Sequence, residues 1–288
     1  MPAGMRGREG NMKEKLLGLV ACVATLALSG ALLAGCSGSG DKTGGDSADG
    51  KETLTVGFDQ SYPPYGFVGD DGKFTGFDLD LAQAVCDKNG WELKLSAIDW
   101  DAKDALLAQG NINCIWNGFT MEGREDGYTF SDPYMLNEQV IVVKAGSDIS
   151  DFAGLSGKTV MTQVDSAALD VLEGDQAEVA ATFKGGAAQT IGDYNNAFMQ
   201  LDSGMIDAVA CDLSIAQYQI AANPDKYVQL PTALSTEHYA VGFKKGDTEL
   251  AQKVTETLKQ LDADGTVKQL CEKYASYGIS YDNWVLGK

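Results

Sequence analysis

The stretch 112–134, INCIWNGFTMEGREDGYTFSDPY, concentrates residues that can do chemistry. An apolar run, 112–116, reads as a buried strand. It gives way to the polar turn Asn117-Gly118-Phe119-Thr120, and Arg124 follows. Such a strand end offers a Gly118 carbonyl, the hydroxyl and amide of Thr120, and one guanidinium. Arginine grips a carboxylate through two parallel hydrogen bonds, so the combination suits a small charged molecule. The plainer alternative is a surface Arg124 paired with Glu122, Glu125 or Asp126. Three more polar residues follow predicted strands: Asp59, Ser166 and Asp212.

The elements that must position these residues alternate between strand and helix. Strands are predicted at 53–58, 91–96, 139–143, 158–163, 179–183, 206–211, 227–230 and 238–243. Asp78 is the expected N-cap of a helix whose stripe is Phe77, Leu81, Val85 and Cys86, closed by Asn89-Gly90. Another helix follows Asp99-Trp100-Asp101 and ends at Gly110. In the second half, helices are expected from Ala167, capped by Asp165-Ser166, and over 194–201 and 213–222. Two more close the chain, with stripes Leu250, Val254, Leu258, Leu261 and Val267, Leu270, Cys271, Tyr274. Strand–helix alternation predicts α/β architecture with parallel sheets covered on both faces, and ligands beyond the carboxyl ends of the strands. Asp59, the Gly118–Thr120 turn, Ser166 and Asp212 can therefore meet at one cleft. Plain structural roles stand beside these: Asp212 as a helix cap, Asp59 as a turn residue, Tyr62, Tyr65 and Trp100 as core, Asp207 and His238 as structural residues.

The 288 residues carry a formal charge of −19, which excludes a nucleic-acid partner, because phosphate backbones require clustered Lys and Arg. Lys13 and Lys15 precede an apolar run over 16–28 and then Leu33-Ala34-Gly35-Cys36, the pattern of a secretory leader, for which Met12 is a better start than Met1. Residues 37–52, rich in Gly, Ser and Asp, read as a flexible tether. Beyond the leader, Cys86, Cys114, Cys211 and Cys271 remain, either as buried thiols or paired as Cys86–Cys114 and Cys211–Cys271. No C-x-x-C pair occurs and His238 is the sole histidine, so neither a zinc site nor any cofactor is expected.

Leu-Ala-Gly-Cys36 resembles the lipobox of bacterial lipoproteins, which implies cleavage before Cys36, lipidation of its thiol and anchoring outside the cytoplasm. An ordered set of motifs carries a second resemblance: Tyr62-x-Pro64-Tyr65, Gly76-Phe77-Asp78-Leu79-Asp80-Leu81-Ala82, Phe130-Ser131-Asp132-Pro133-Tyr134, Leu155-x-Gly157-Lys158-x-Val160, Gly204-x-Ile206-Asp207-Ala208-Val209-x-x-Asp212 and Tyr239-Ala240-Val241-Gly242. Over roughly 53–280 the chain resembles the family 3 extracellular solute-binding proteins, the polar amino-acid receptors of ABC importers. The resemblance implies a two-lobed, periplasmic-binding-protein-like (type II) fold, each lobe a mainly parallel sheet flanked by helices. Two hinge strands, near 138–142 and 239–243, would join lobe 1 (53–140 with 243–288) to lobe 2 (141–242).

It further implies that Arg124 clamps the α-carboxylate of an amino acid, assisted by the amides of Thr120 and Ala167 beside Ser166. Asp212 would take the α-ammonium with the Gly118 carbonyl and the Thr120 hydroxyl, while Asp59, Tyr62, Tyr65 and Trp100 line the side-chain pocket. Asp59 suits a basic or amide side chain. The chain departs from the family by one residue fewer between Gly118 and Arg124, and by Asp165-Ser166-Ala167 where a Gly-Thr/Ser-Thr/Ser turn is usual. The expected protein is a monomeric, lipid-anchored receptor that serves a permease and is not an enzyme. The alternatives are a sensory or adhesin lipoprotein, or a dehydratase-like enzyme using Glu122, Glu237 or His238.

Overall fold

The computed structural model describes residues 51–288. The expected leader, the lipidation site Cys36 and most of the tether lie outside the described residues.

Strand β1 (Thr53–Phe58) leads into a small antiparallel meander, β2 (Ser61–Tyr62), β3 (Gly66–Val68) and β4 (Phe74–Thr75). Helix α1 (Phe77–Asn89), β5 (Glu92–Ala97), α2 (Lys103–Ala108), β6 (Cys114–Ile115) and β7 (Tyr128–Phe130) complete the first half. β1 is the parallel centre between β5 and β6, and its buried Leu54, Val56 and Phe58 anchor that sheet.

The second half runs β8 (Met135–Lys144), β9 (Val160–Gln163), α3 (Ala167–Glu173), α4 (Ala177–Ala180), β10 (Gln189–Ile191), α5 (Tyr194–Ser203), β11 (Ala208–Asp212), α6 (Leu213–Ala222), β12 (Tyr227–Gln229) and β13 (Ser235–Tyr239). β14 (Gly242–Lys244), α7 (Thr248–Ala263) and α8 (Thr266–Lys273) close the chain. The two main sheets have the orders β5-β1-β6-β14-β7 and β10-β9-β11-β8-β12, with β13 also on β8.

Each sheet is parallel where strand–helix–strand units wind it. Antiparallel pairing enters with β14 in the first sheet, and with β8, β12 and β13 in the second. The chain passes between the sheets twice, at 131–134 and 240–241; the expected first hinge, 138–142, lies instead within β8 of the second sheet. These passages run side by side: Ser131 N donates to Val241 O at 3.0 Å and Tyr134 N to Tyr239 O at 2.9 Å.

Two local expectations change. Asp78 is not the cap of α1. The cap position is Gly76 (φ 146°), where a Cβ would lie 2.1 Å from the Tyr65 carbonyl oxygen, so only glycine fits. Asp78 instead sits buried in the first turn and accepts from Gly118 N (2.6 Å) and the Tyr134 hydroxyl (2.8 Å). Burial pushes its carboxyl up to about 7. The segment 179–183 is not a strand: Ala177–Ala180 turns as α4, because its alanines favour helix and Phe183 plugs the core from the turn beyond it. The four cysteines are free and buried; they pack as small apolar side chains.

Candidate functional site

The carboxyl ends of the strands carry the site. A cavity with about 240 Å³ of atom-free space, part of it open to solvent, is lined by Tyr62, Trp100, Gly118, Thr120, Arg124, Ser166, Ala167 and Asp212, joined by Gln163. The expected site residues thus converge from both sheets, with two exceptions. Asp59 stands behind Gln163 and not on the wall: its Oδ2 accepts from Gln163 Nε2 at 2.7 Å, and its Oδ1 accepts from Ser61 N at 2.7 Å. Burial raises its carboxyl above the ordinary range. Tyr65 is core, its ring meeting Tyr239 edge-on at 5.1 Å and Phe77 at 5.9 Å.

Asp212 ends β11 and occupies the position before α6, yet its side chain makes no capping bond. It is 4% exposed, and its Oδ1 accepts from Asn137 Nδ2 (2.9 Å), Gln139 Nε2 (2.8 Å) and the Tyr239 hydroxyl (2.9 Å). Burial raises its carboxyl despite those donors. A buried acceptor surrounded by neutral donors is suited to a cation.

Arg124 does not pair with its sequence neighbours. Its Nη2 donates to Asp170 Oδ2 on α3 at 2.7 Å and to the Asp165 carbonyl at 3.2 Å, and the guanidinium lies 5.0 Å from the Phe119 ring centroid. The arginine side chain is 12% exposed, whereas that of Asp170 is 60% exposed. Asp165 is the one non-glycine residue among those described with positive φ, at 55°. Its carbonyl also accepts from Trp100 Nε1 (3.2 Å), and its carboxylate pairs with Lys103 Nζ (3.2 Å). Ser166, not Asp165, caps α3, accepting from Leu169 N at 3.2 Å.

Gly118 has φ 58°, and a Cβ there would meet the Tyr239 ring at 3.0 Å and the Tyr62 ring at 3.2 Å. The Thr120 hydroxyl donates to Glu237 Oε1 at 2.6 Å, which leaves its lone pairs able to accept. Sequence reasoning missed Gln163, Asn137, Gln139 and the positioning roles of Asp78 and Tyr239. A pattern existed for the strand residues: Asn137 and Gln139 stand at i and i+2, on one face of β8, as Glu237 and Tyr239 do on β13. His238 bonds through Nδ1 to Glu122 Oε1 at 2.7 Å, and neither residue lines the cavity. Asp207 accepts from Thr159 N at 2.7 Å, the structural role expected of it.

Two α/β halves meeting over a polar cavity define a solute-binding protein of the type II periplasmic class. The profile of the bacterial extracellular solute-binding proteins, family 3, matches residues 54–277, and the chain belongs to that family. It is 30% identical over 225 residues to the L-cystine-binding protein TcyJ of Escherichia coli (strain K12), covering 77% of this chain and 82% of the relative. It is 29% identical over 266 residues to the arginine-binding extracellular protein ArtP of Bacillus subtilis (strain 168), covering 91% and 98%. A solved substrate-binding protein of an ABC uptake transporter from Streptococcus pneumoniae, with bound histidine, aligns with a TM-score of 0.76 at 34% identity, covering 80% and 94%.

Proposed function

We propose that the protein is a monomeric receptor that binds a polar amino acid between its two halves and hands it to the permease of an ABC importer, held at the membrane by a lipid on Cys36. The observation that carries the reading is the meeting of Arg124 and Asp212 on one cavity. A zwitterion needs a donor for its carboxylate and an acceptor for its ammonium. Arg124 takes the carboxylate, with the amides of Thr120 and Ala167. Asp212 takes the ammonium, with the Gly118 carbonyl and the Thr120 oxygen. Tyr62, Trp100 and the Asp59–Gln163 pair shape the side-chain end. A basic or amide side chain fits best there, since Gln163 presents its amide on the wall with the Asp59 carboxyl behind it. Binding without turnover agrees with the relatives named above, which are binding proteins.

Calorimetric titration with the twenty amino acids and cystine tests the proposal. A basic or amide amino acid should bind, and Arg124→Ala or Asp212→Asn should each weaken it by at least about 100-fold, because each leaves a buried opposite charge unpaired. Unchanged binding by Arg124→Ala would remove the site assignment. Tight glutamate binding with none of arginine, lysine, histidine or glutamine would remove the ligand class.

A further inference from the structure

Glu237 lies on β13, is 3% exposed and contributes no atom to the cavity wall. Its Oε1 nonetheless lies against the same two amides as Asp212. Asn137 Nδ2 is 2.8 Å from Glu237 Oε1 and 2.9 Å from Asp212 Oδ1; Gln139 Nε2 is 2.8 Å from each. A primary amide has two N–H donors, so each amide is spent bridging the two carboxyl groups. The remaining partners are hydroxyls, Tyr239 on Asp212 and Thr120 on Glu237, so neutral donors alone hold two buried carboxyls together.

We infer that Glu237 is a positioning residue of the cation end of the cleft: Asp212 and Glu237 share one proton when no ligand is bound, and the ammonium of an amino acid takes that proton's place. The inference rests on the function proposed above. The exchange balances: one protonated ammonium enters, one proton leaves to solvent, and the charge of the site is unchanged. Two carboxylates brought together in a desolvated site do not both ionise without a cation. Burial first, and then the charge of Asp212, push Glu237 up to about 7, and burial raises Asp212.

The other titratable groups facing the pair stay neutral across that range. Burial raises Tyr62 on β2, Tyr65 beside it, Tyr194 on α5, Tyr239 on β13 and Cys211 on β11 well above their ordinary values. Arg124, the cation on the cavity wall, is held by Asp170. His238 and its partner Glu122 fall on the opposite face of β13. Thr120 links the pair to the cavity, since it lines the wall while donating to Glu237.

The test titrates the wild-type protein with the twenty amino acids and L-cystine at pH 6, 7 and 8, in phosphate and in MOPS, two buffers that cover this range and whose different ionisation heats count the protons released. The release should be about one proton at pH 6 and close to zero at pH 8, with Kd falling about tenfold over that range. Glu237→Gln, which keeps the shape and removes the second charge, should abolish the release and flatten the pH profile. Binding with no proton release and a Kd constant within about twofold would overturn the inference and leave the proposed function standing. Binding of none of these amino acids would overturn both.

Discussion

Arg124 illustrates how one side chain can serve two partners. Its guanidinium is engaged by Asp170 and by the Asp165 carbonyl. In the proposed complex a ligand carboxylate competes with Asp170, whose side chain is 60% exposed. Solvent-screened pairs of this kind contribute about 1 kcal/mol or less. Asp170→Ala should therefore free Arg124 and tighten amino-acid binding by up to about fivefold, measured by calorimetry. A clear loss of affinity would mean instead that Asp170 holds the guanidinium in its binding geometry. Lys103 is anchored differently: its side chain is 5% exposed and bridges to Asp165, beside the Trp100 ring at 5.3 Å.

At the scale of elements, the start of α1 ties three parts of the first half together. Gly76 lets the chain pass against the Tyr65 carbonyl, where any Cβ would collide with the oxygen, and its amide donates to the Tyr274 hydroxyl at 3.1 Å. The turn then aims Asp78 inward, where it holds the Gly118 amide and the Tyr134 hydroxyl. Gly118 is thereby fixed at the cavity by a carboxylate forty residues earlier. Gly76→Ala should cost roughly 2–4 kcal/mol in urea denaturation, since both the backbone conformation and the space oppose a side chain. Wild-type stability would show that the turn relaxes without cost. The run Phe77, Leu81, Val85 at i, i+4 and i+8 made this helix legible from sequence. The inward role of Asp78 was not legible, because an Asp at a helix start has the same local pattern whether it caps or turns inward.

For the whole molecule, the buried carboxyls set a pH dependence. Asp78 and Glu237 are raised to about 7, so between about pH 4 and 7 the folded protein holds protons that the unfolded chain has released. Stability is then greatest at the acidic end of that window and falls as pH rises through 7. Net charge of −19 adds self-repulsion of the same sign. Thermal unfolding should show Tm lower at pH 8 than at pH 5 by on the order of 5 °C, with Asp78→Asn reducing the difference. A Tm that rises over that interval would contradict the buried, protonated state of these groups.

The sequence by itself determined the alternation of strand and helix, the family to which the chain belongs, and the strand ends at which polar residues gather. Those properties live in local periodicity and in motifs whose order along the chain is enough. Tertiary structure alone decided which polar residues reach the cavity. Asp59 and Tyr65 sit one layer behind it, Gln163 takes the wall, and Arg124 finds Asp170 rather than Glu122, Glu125 or Asp126. The reason is that a side chain's partner depends on what another strand brings opposite it. Asn137, Gln139, Asp212 and Glu237 meet because β8 lies between β11 and β13, a pairing of segments up to about a hundred residues apart that the local alternation of polar residues does not specify. Within the stretch 112–134, the turn and its arginine were readable, while the proton-sharing pair proposed beneath Thr120 needed the sheet.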